Sequence, residues 1–345
     1  MNGADPVPTR TGASSQAVSL EQSSASTSRI QSRESARPMV SIVIPCFRQA
    51  HFLSSAIESV LAQTYGNFEI IVVDDGSPDD PTATAHRYPT VRCIRQKNLG
   101  RSAARNAGVR VSSGELLVLL DADDRLLPGA LETGIRYMEA HPDCAFVSGG
   151  AVEIDSLGRQ LATPLNSRPH ERCPGGSHYV AFLHGNYVLI NTVVFRKSAF
   201  EAVGGFNVAL HAAEDLDLYY RISRRFPVLC HAEVVGERRR HSTNTVNRPA
   251  RTVPYALAVL RSQWPYVRGC EEYETAYWQG IRHFVSAYGF GPVYAVWLHA
   301  RQRDWREAAV ALKLIMLQPR YLWYFGRRLF DALCSQLPRR RARKA

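Results

Sequence analysis

Short apolar runs and amphipathic stretches take turns between residues 40 and 141. VSIVIP (40–45) is a β-branched run closed by proline and predicts a strand. In FLSSAIESVLAQ (52–63), Leu53, Ile57, Val60 and Leu61 fall on one helical face. FEIIVVDDGS (68–77) predicts a second strand running into a turn, and 91–94 a short third. Residues 100–114 predict a helix whose Ala103, Ala104, Ala107 and Gly108 would let it lie close to a sheet. A strand at 115–120 and a helix at 126–141, with Pro128 near its start, complete the series. The runs are continuous rather than alternating, as in strands buried on both faces. Strand–helix alternation of this kind predicts an α/β fold: a mostly parallel central sheet covered by helices. Beyond Val152 the pattern loosens. It predicts a strand at 187–195, a short helix at 198–203 ended by Gly204 and Gly205, and a helix at 213–225. After Pro249 only helices are expected, at 250–262, 271–288, 292–302, 304–317 and 320–335.

The candidate chemistry sits where strands end. In LLVLLDADDRLLP (116–128), five apolar residues lead into Asp121, Asp123 and Asp124. Like charges repel, and each ionised carboxylate costs several kcal/mol to desolvate. A cation or a positively charged ligand would make the cluster reasonable. Asp74 and Asp75 fall at the end of the second strand, and open α/β sheets bind ligands outside the carboxyl ends of their strands.

Charge and composition narrow the setting. Of the formal net charge of +11, the segment 320–345 carries +7, from eight Arg/Lys and one Asp. That excess points to an anionic surface met by the tail. The tail also interleaves Tyr321, Phe325, Leu329 and Leu333 at helical spacing, which suits the interface of an anionic bilayer. No nucleic-acid module accompanies it, so nucleic acid is not the expected partner. The seven cysteines form no CxxC pair, which argues against a zinc site or disulfide framework and for a reducing cytoplasm. No apolar run approaches ~18 residues, and the start of the chain lacks the apolar core of a signal peptide. Residues 1–38, with nine serines after Thr11, read as a disordered leader.

SIVIPCF, VVDDGSPD, NLGRSAARNAG, LLDADDRLLP and EDLDLYYR occur in an order and spacing that resembles family 2 glycosyltransferases of the GT-A fold. The resemblance covers about 40–241. It implies a GT-A domain at 39–245, followed by a helical region at 246–335 and a basic tail at 336–345. It implies a nucleotide sugar donor, a divalent metal (Mn or Mg), and a glycan or glycolipid acceptor. Asp75 would accept the N3–H of uracil, with Pro45 and Phe47 walling the base, which favours UDP or dTDP donors. Asp-Gly-Ser is also plain turn chemistry. Asp123 would be the direct metal ligand, with Asp121 and Asp124 on ribose, metal-bound water or donor; helix capping alone would account for Asp124. Arg101 and Arg105, at i and i+4, would share a face toward the phosphates or the acids, or form a solvated basic face. Asp215 would be the catalytic base of an inverting transfer, with Glu214 its competitor. His241 would approach the diphosphate or complete the metal shell, although RRRH here replaces the family's YRxH. Arg238, Arg239 and Arg240 would be a solvated run unless their loop folds over the donor. The implied setting is cell-envelope polysaccharide or glycolipid synthesis at the inner face of the plasma membrane. Two other functions compete. A nucleotidyltransferase would carry a Gly-rich loop after the first strand, where PCFRQAHFLSSA has none; a non-catalytic membrane scaffold would lack the acids. No GxGxxG fingerprint favours hydride transfer.

Overall fold

Each apolar run before residue 120 becomes a strand of one sheet. The computed structural model describes residues 37–161, 177–241, 244, 249–284, 305–306, 308–309 and 312. Strands β1 (Val40–Cys46), β2 (Phe68–Asp74), β3 (Val91–Arg95) and β4 (Leu116–Leu119) pair in parallel, with Val40 opposite both Phe68 and Leu116. The sheet then changes character. β5 (Arg125–Leu126), β6 (Phe146–Ile154), β7 (Val193–Arg196) and β8 (Val228–Arg239) extend it to the order β3-β2-β1-β4-β7-β6-β8-β5. β7 is antiparallel to both β4 and β6, β8 is parallel to β6, and β5 is antiparallel to β8. The result is a mixed sheet whose first half is parallel.

Both faces are covered. On one side Ile42, Ile44, Ile70, Val72, Leu116 and Val118 meet helices α1 (Ala50–Leu61), α2 (Pro81–Ala85) and α4 (Ala130–Ala140). On the other, Val43, Ile71, Val73, Leu117 and Leu119 meet α3 (Arg101–Arg110), α5 (His178–His184), α6 (Lys197–Ala202) and α7 (Glu214–Ser223). Successive strand residues point to opposite faces, so a strand covered on both sides must be apolar throughout. α3 approaches β1 so closely that a Cβ at Gly108 would collide with Val43 Cγ1. Helices α8 (Pro249–Arg261) and α9 (Trp264–Val267) follow, and residues 271–284 are helical. Val253, Leu257, Leu260, Tyr277 and Phe284 belong to the same buried cluster as α5 and α7. Thus the first part of the C-terminal helical region shares the core of the preceding domain. No helix among the described residues is long and apolar enough to cross a membrane.

Two expected elements differ. The helix predicted at 126–141 begins at Ala130, and Leu126 instead pairs with Gly236 in β8. Leu127 N–H donates to Val235 O at 2.9 Å, pinning the chain to the sheet before Pro128 and the left-handed Gly129 (φ 78°) turn it into the helix. The strand predicted at 187–195 is shortened to β7. Ile190–Thr192 form a 3₁₀ turn instead, closed by Thr192 Oγ1 donating to Leu189 O at 2.8 Å. Of the expected leader, residues 37 and 38 are described, with Arg37 paired to Glu132 at 2.8 Å; residues 1–36, the tail, and most of the helices expected after 288 lie outside the described residues.

Candidate active site

The carboxyl ends of β1, β2 and β4 open into a cleft of about 460 Å³, walled by Pro45, Phe47, Asp75, Asn98, Arg101 and Asp121 among others. Asp74 and Asp75 divide their work. Asp74 is fully buried and accepts from Ser77 N–H (2.8 Å) and Thr82 Oγ1 (3.1 Å), which shapes the turn. Asp75, 3% exposed, accepts from Gln96 Nε2 (2.7 Å) and from the backbone N–H of Leu99 and Gly100 (2.9 Å each). A carboxylate offers about four acceptor sites. Three are taken, and one remains for a donor group in the cleft.

Behind Asp121 the three acids converge. Asp121, Asp123 and Asp124 can each bring one oxygen within 4.8 Å of the others. Asp123 Oδ2 lies 2.7 Å from His241 Nε2, and Asn244 Nδ2 reaches the same oxygen at 3.5 Å. Asp124 Oδ1 accepts from Arg239 N–H at 2.9 Å. Burial, together with the neighbouring charges of Asp123 and Asp121, pushes the Asp124 carboxyl well above the ordinary carboxylate range. Such mutual repulsion is what a bound cation relieves. Carboxylate oxygens with one imidazole form a donor set that suits Mg²⁺ or Mn²⁺. The residues present therefore fit a divalent ion.

Asp121 is held differently. Arg105, only 1% exposed, donates from Nη2 to Asp121 Oδ1 (2.6 Å) and from Nη1 to Glu214 Oε1 (3.0 Å), with its guanidinium 5.1 Å above the Phe206 ring. Arg101 adds longer ion pairs to the same two acids, at 3.9 and 3.6 Å. Burial alone would raise the Asp121 carboxyl, but the charges of Arg105 and Arg101 prevail and hold it below the usual range.

A second cavity of about 210 Å³ shares Arg101 with the first and is lined by Asn186, His211, Asp215, Thr252 and Phe284 among others. Its floor is the first turn of α7. Ala213, left-handed at φ 58°, turns the chain into that helix, at a cost of about 1–2 kcal/mol for a residue with a Cβ. Asp215 Oδ1 accepts from Leu216 N–H (2.8 Å) and Oδ2 from Asn186 Nδ2 (2.7 Å). Burial and the adjacent Glu214 charge push its carboxyl up to about 6, against the pull of the Leu216 N–H, Arg105 and Asn186.

A family model described as Glycosyl transferase family 2 matches residues 41–202. Residues 41–202 form a glycosyltransferase family 2 domain. An uncharacterized glycosyltransferase of Rickettsia typhi is 32% identical over 219 residues, covering 61% of this chain and 66% of its own length. Among solved structures, S. aureus TarS in complex with UDP-GlcNAc overlays with a TM-score of 0.57 at 13% identity, covering 81% of this chain and 92% of that one. A mannosyltransferase from Pyrobaculum calidifontis in complex with GDP-Man and Mn²⁺ gives 0.55 at 17% identity, covering 84% and 88%. Both share the GT-A fold with this chain. The chain spans from about a third to two thirds of the length of the first curated relatives it matches.

The family 2 frame brings most of the singled-out residues together. Pro45, Phe47, Asp75, Arg101 and Asp121 wall one cleft; Asp123 and His241 touch behind it; Arg105 joins Asp121 to Glu214; Asp215 faces the adjoining cavity. One expectation is corrected. Arg239 is not a solvated charge but is 3% exposed. Its Nε donates to Asp123 O (2.8 Å) and its Nη1 to the carbonyls of Asp155 and Ser156, with the guanidinium over Phe52. Arg240 likewise pairs with Glu153 at 3.2 Å. Asn186, Gln96 and Asn244 were not foreseen. Each is a polar residue outside any motif, and only its contact with a foreseen acid reveals it.

Proposed function

We propose that this chain transfers a sugar, with inversion, from a UDP- or dTDP-type nucleotide sugar to an acceptor hydroxyl, with Asp215 as the base. The observation that carries this reading is the meeting of two cavities at Arg101. One is of the size that takes a small ligand and ends at Asp121; the other holds a carboxylate raised to about 6. A general base works best with a proton affinity near the operating pH. Asp215 would take the acceptor hydroxyl's proton while that oxygen bonds to the anomeric carbon. The bond from that carbon to the diphosphate oxygen breaks at the same time, and the nucleoside diphosphate leaves.

The remaining acceptor site of Asp75 suits an imide N–H, as in uracil or thymine, and Pro45 and Phe47, which line the same cleft, would wall the base. Asp123, with His241 beside it and Asp121 and Asp124 adjacent, would hold a Mg²⁺ or Mn²⁺ ion. When bound, that ion supplies charge neutralisation for the departing diphosphate. A glycan or glycolipid acceptor of the cell envelope is part of the same proposal, as is peripheral contact of the basic tail with the inner face of the membrane. Its support is the sequence of 320–345.

The test is a screen of UDP-, dTDP- and GDP-sugars for hydrolysis and transfer by wild-type protein and by Asp215→Asn. Turnover of the variant should fall roughly 10²–10⁴-fold with nucleotide affinity kept, and NMR should find the product's anomeric configuration inverted. A variant as fast as wild type removes the base, and a retained configuration removes single displacement. A preference for GDP-sugars removes the assignment of the donor as UDP- or dTDP-type.

A further inference from the structure

The second cavity holds an amide as well as a carboxylate. We infer that Asn186 is a positioning residue for Asp215: it fixes the plane of the base and supports its ionised form. This rests on the reading of Asp215 as base.

Asn186 follows Gly185 in the segment between α5 and the 3₁₀ turn, far from α7 in sequence. Its Oδ1 accepts from Val188 N–H at 3.1 Å, which leaves Nδ2 aimed at Asp215 Oδ2, 2.7 Å away. The other carboxylate oxygen is held by Leu216 N–H. Two donors from two different elements, one on each oxygen, leave the carboxylate a single orientation, with its remaining lone pairs in the cavity that both residues line. A donor on the ionised form favours that form. An amide cannot itself ionise, so the bond persists across the working pH range.

The other charges around Asp215 are already committed. Glu214 is bound to Arg105 and reached by Arg101, both from α3. Asp121, after β4, takes the rest of that pair. Asp217 and Arg221 pair with each other further along α7. The Tyr219 hydroxyl, in the core beneath, is pushed well above the ordinary phenol range by burial and by Asp215. His211 lines the same cavity. Histidines change charge in the pH range where Asp215 would titrate, so the experiment is done in a His211→Gln background as well.

The measurement is the pH dependence of kcat for wild type, Asn186→Ala and Asn186→Asp, with thermal stability recorded alongside. In Asn186→Ala the acid limb should move above about 6, with a drop in plateau kcat and little change in donor KM. In Asn186→Asp two carboxylates face each other and titrate as a pair, so the limb should move up by about one unit or more. Both shifts should survive the His211→Gln change. A purely structural Asn186 would lower the melting temperature and leave the acid limb in place, and that result overturns the proposal. Asp215→Asn in the same assay separates the two readings. If it is fully active, the base assignment fails. If it is inactive while both Asn186 variants keep the wild-type pH profile, only the positioning role fails.

Discussion

Replacing Arg105 with methionine removes a buried cation and leaves two carboxylates facing each other. Asp121 and Glu214 are 19% and 10% exposed at the side chain, and Arg105 bonds them at 2.6 and 3.0 Å. Breaking a buried ion pair by deleting one partner costs about 3–5 kcal/mol, mostly because the surviving charge stays buried and unpaired. Arg101 remains, but its side chain is nearly half exposed and its ion pairs are longer, at 3.6–3.9 Å, so it replaces Arg105 only in part. The stacking over Phe206 is lost too, at about 0.5–2 kcal/mol. Methionine recovers part of that as apolar packing. We therefore expect Arg105→Met to lose about 3–5 kcal/mol at pH 7.

The pH dependence distinguishes this electrostatic account from simple loss of packing. In the wild type Asp121 is held below its ordinary value. Its contribution to stability is therefore present above the unfolded value, near ~3.9, and is lost as pH falls through the folded value. In the variant that contribution is absent, and burial raises Asp121 instead. The gap between wild type and variant should thus be widest at pH 7 and narrow toward pH 4. Urea unfolding followed by tryptophan fluorescence at the two pH values measures it, with equal slopes required for the comparison. Adding Asp121→Asn and Glu214→Gln to Arg105→Met should restore stability, since a neutral cluster lacks the stranded charges. A loss under about 1 kcal/mol at pH 7, or the same loss at both pH values, would refute the reasoning.

Asp123→Ala should abolish transfer, and chelation with EDTA should inactivate the wild type until Mn²⁺ or Mg²⁺ is returned; full activity in excess chelator would remove the metal from the proposal. Deleting residues 338–345 takes away five of the tail's eight basic residues. Liposome co-sedimentation should then show weaker binding to anionic vesicles, and binding of the intact chain should fall with salt; equal sedimentation of both forms would leave the tail without a membrane role.

What the sequence disclosed was set by how burial is written in it. β1, β2 and β4 are buried on both faces and closed by proline or aspartate, so their positions and the acids at their ends could be read directly. β6 and β8 could not. FVSGGAVEI carries two glycines where β8 presses close: a Cβ at Gly149 would meet Glu233 O at 2.6 Å. VLCHAEVVGERR looks polar because much of its length is half-exposed. The fate of the arginine run followed from the pairing of β8 with β6, opposite Ile154, which turns Arg239 inward beneath Asp123 while Arg238 and Arg240 stay half-buried. Periodicity along one segment carries no information about which neighbour that segment will meet. The same limit hid Asn186, whose role exists only because a loop after α5 reaches α7.

One helix ties the site together. α3 is capped by Gly100, whose positive φ (91°) accompanies delivery of the Leu99 and Gly100 N–H groups to Asp75 in the larger cleft. The next residue, Arg101, stands between the two cavities, and one turn on Arg105 reaches Asp121 and Glu214. Asn106 then exchanges two 2.9 Å hydrogen bonds with the backbone of Phe206, fixing the loop that leads to Ala213 and the start of α7. Arg101 and Arg105, four residues apart, share one side of the helix, and Gly108 lets the helix sit directly on Val43 of β1. The wall of the larger cleft, the acid after β4 and the turn that carries Asp215 are therefore referred to a single rigid element. A small displacement of α3 would disturb all three together.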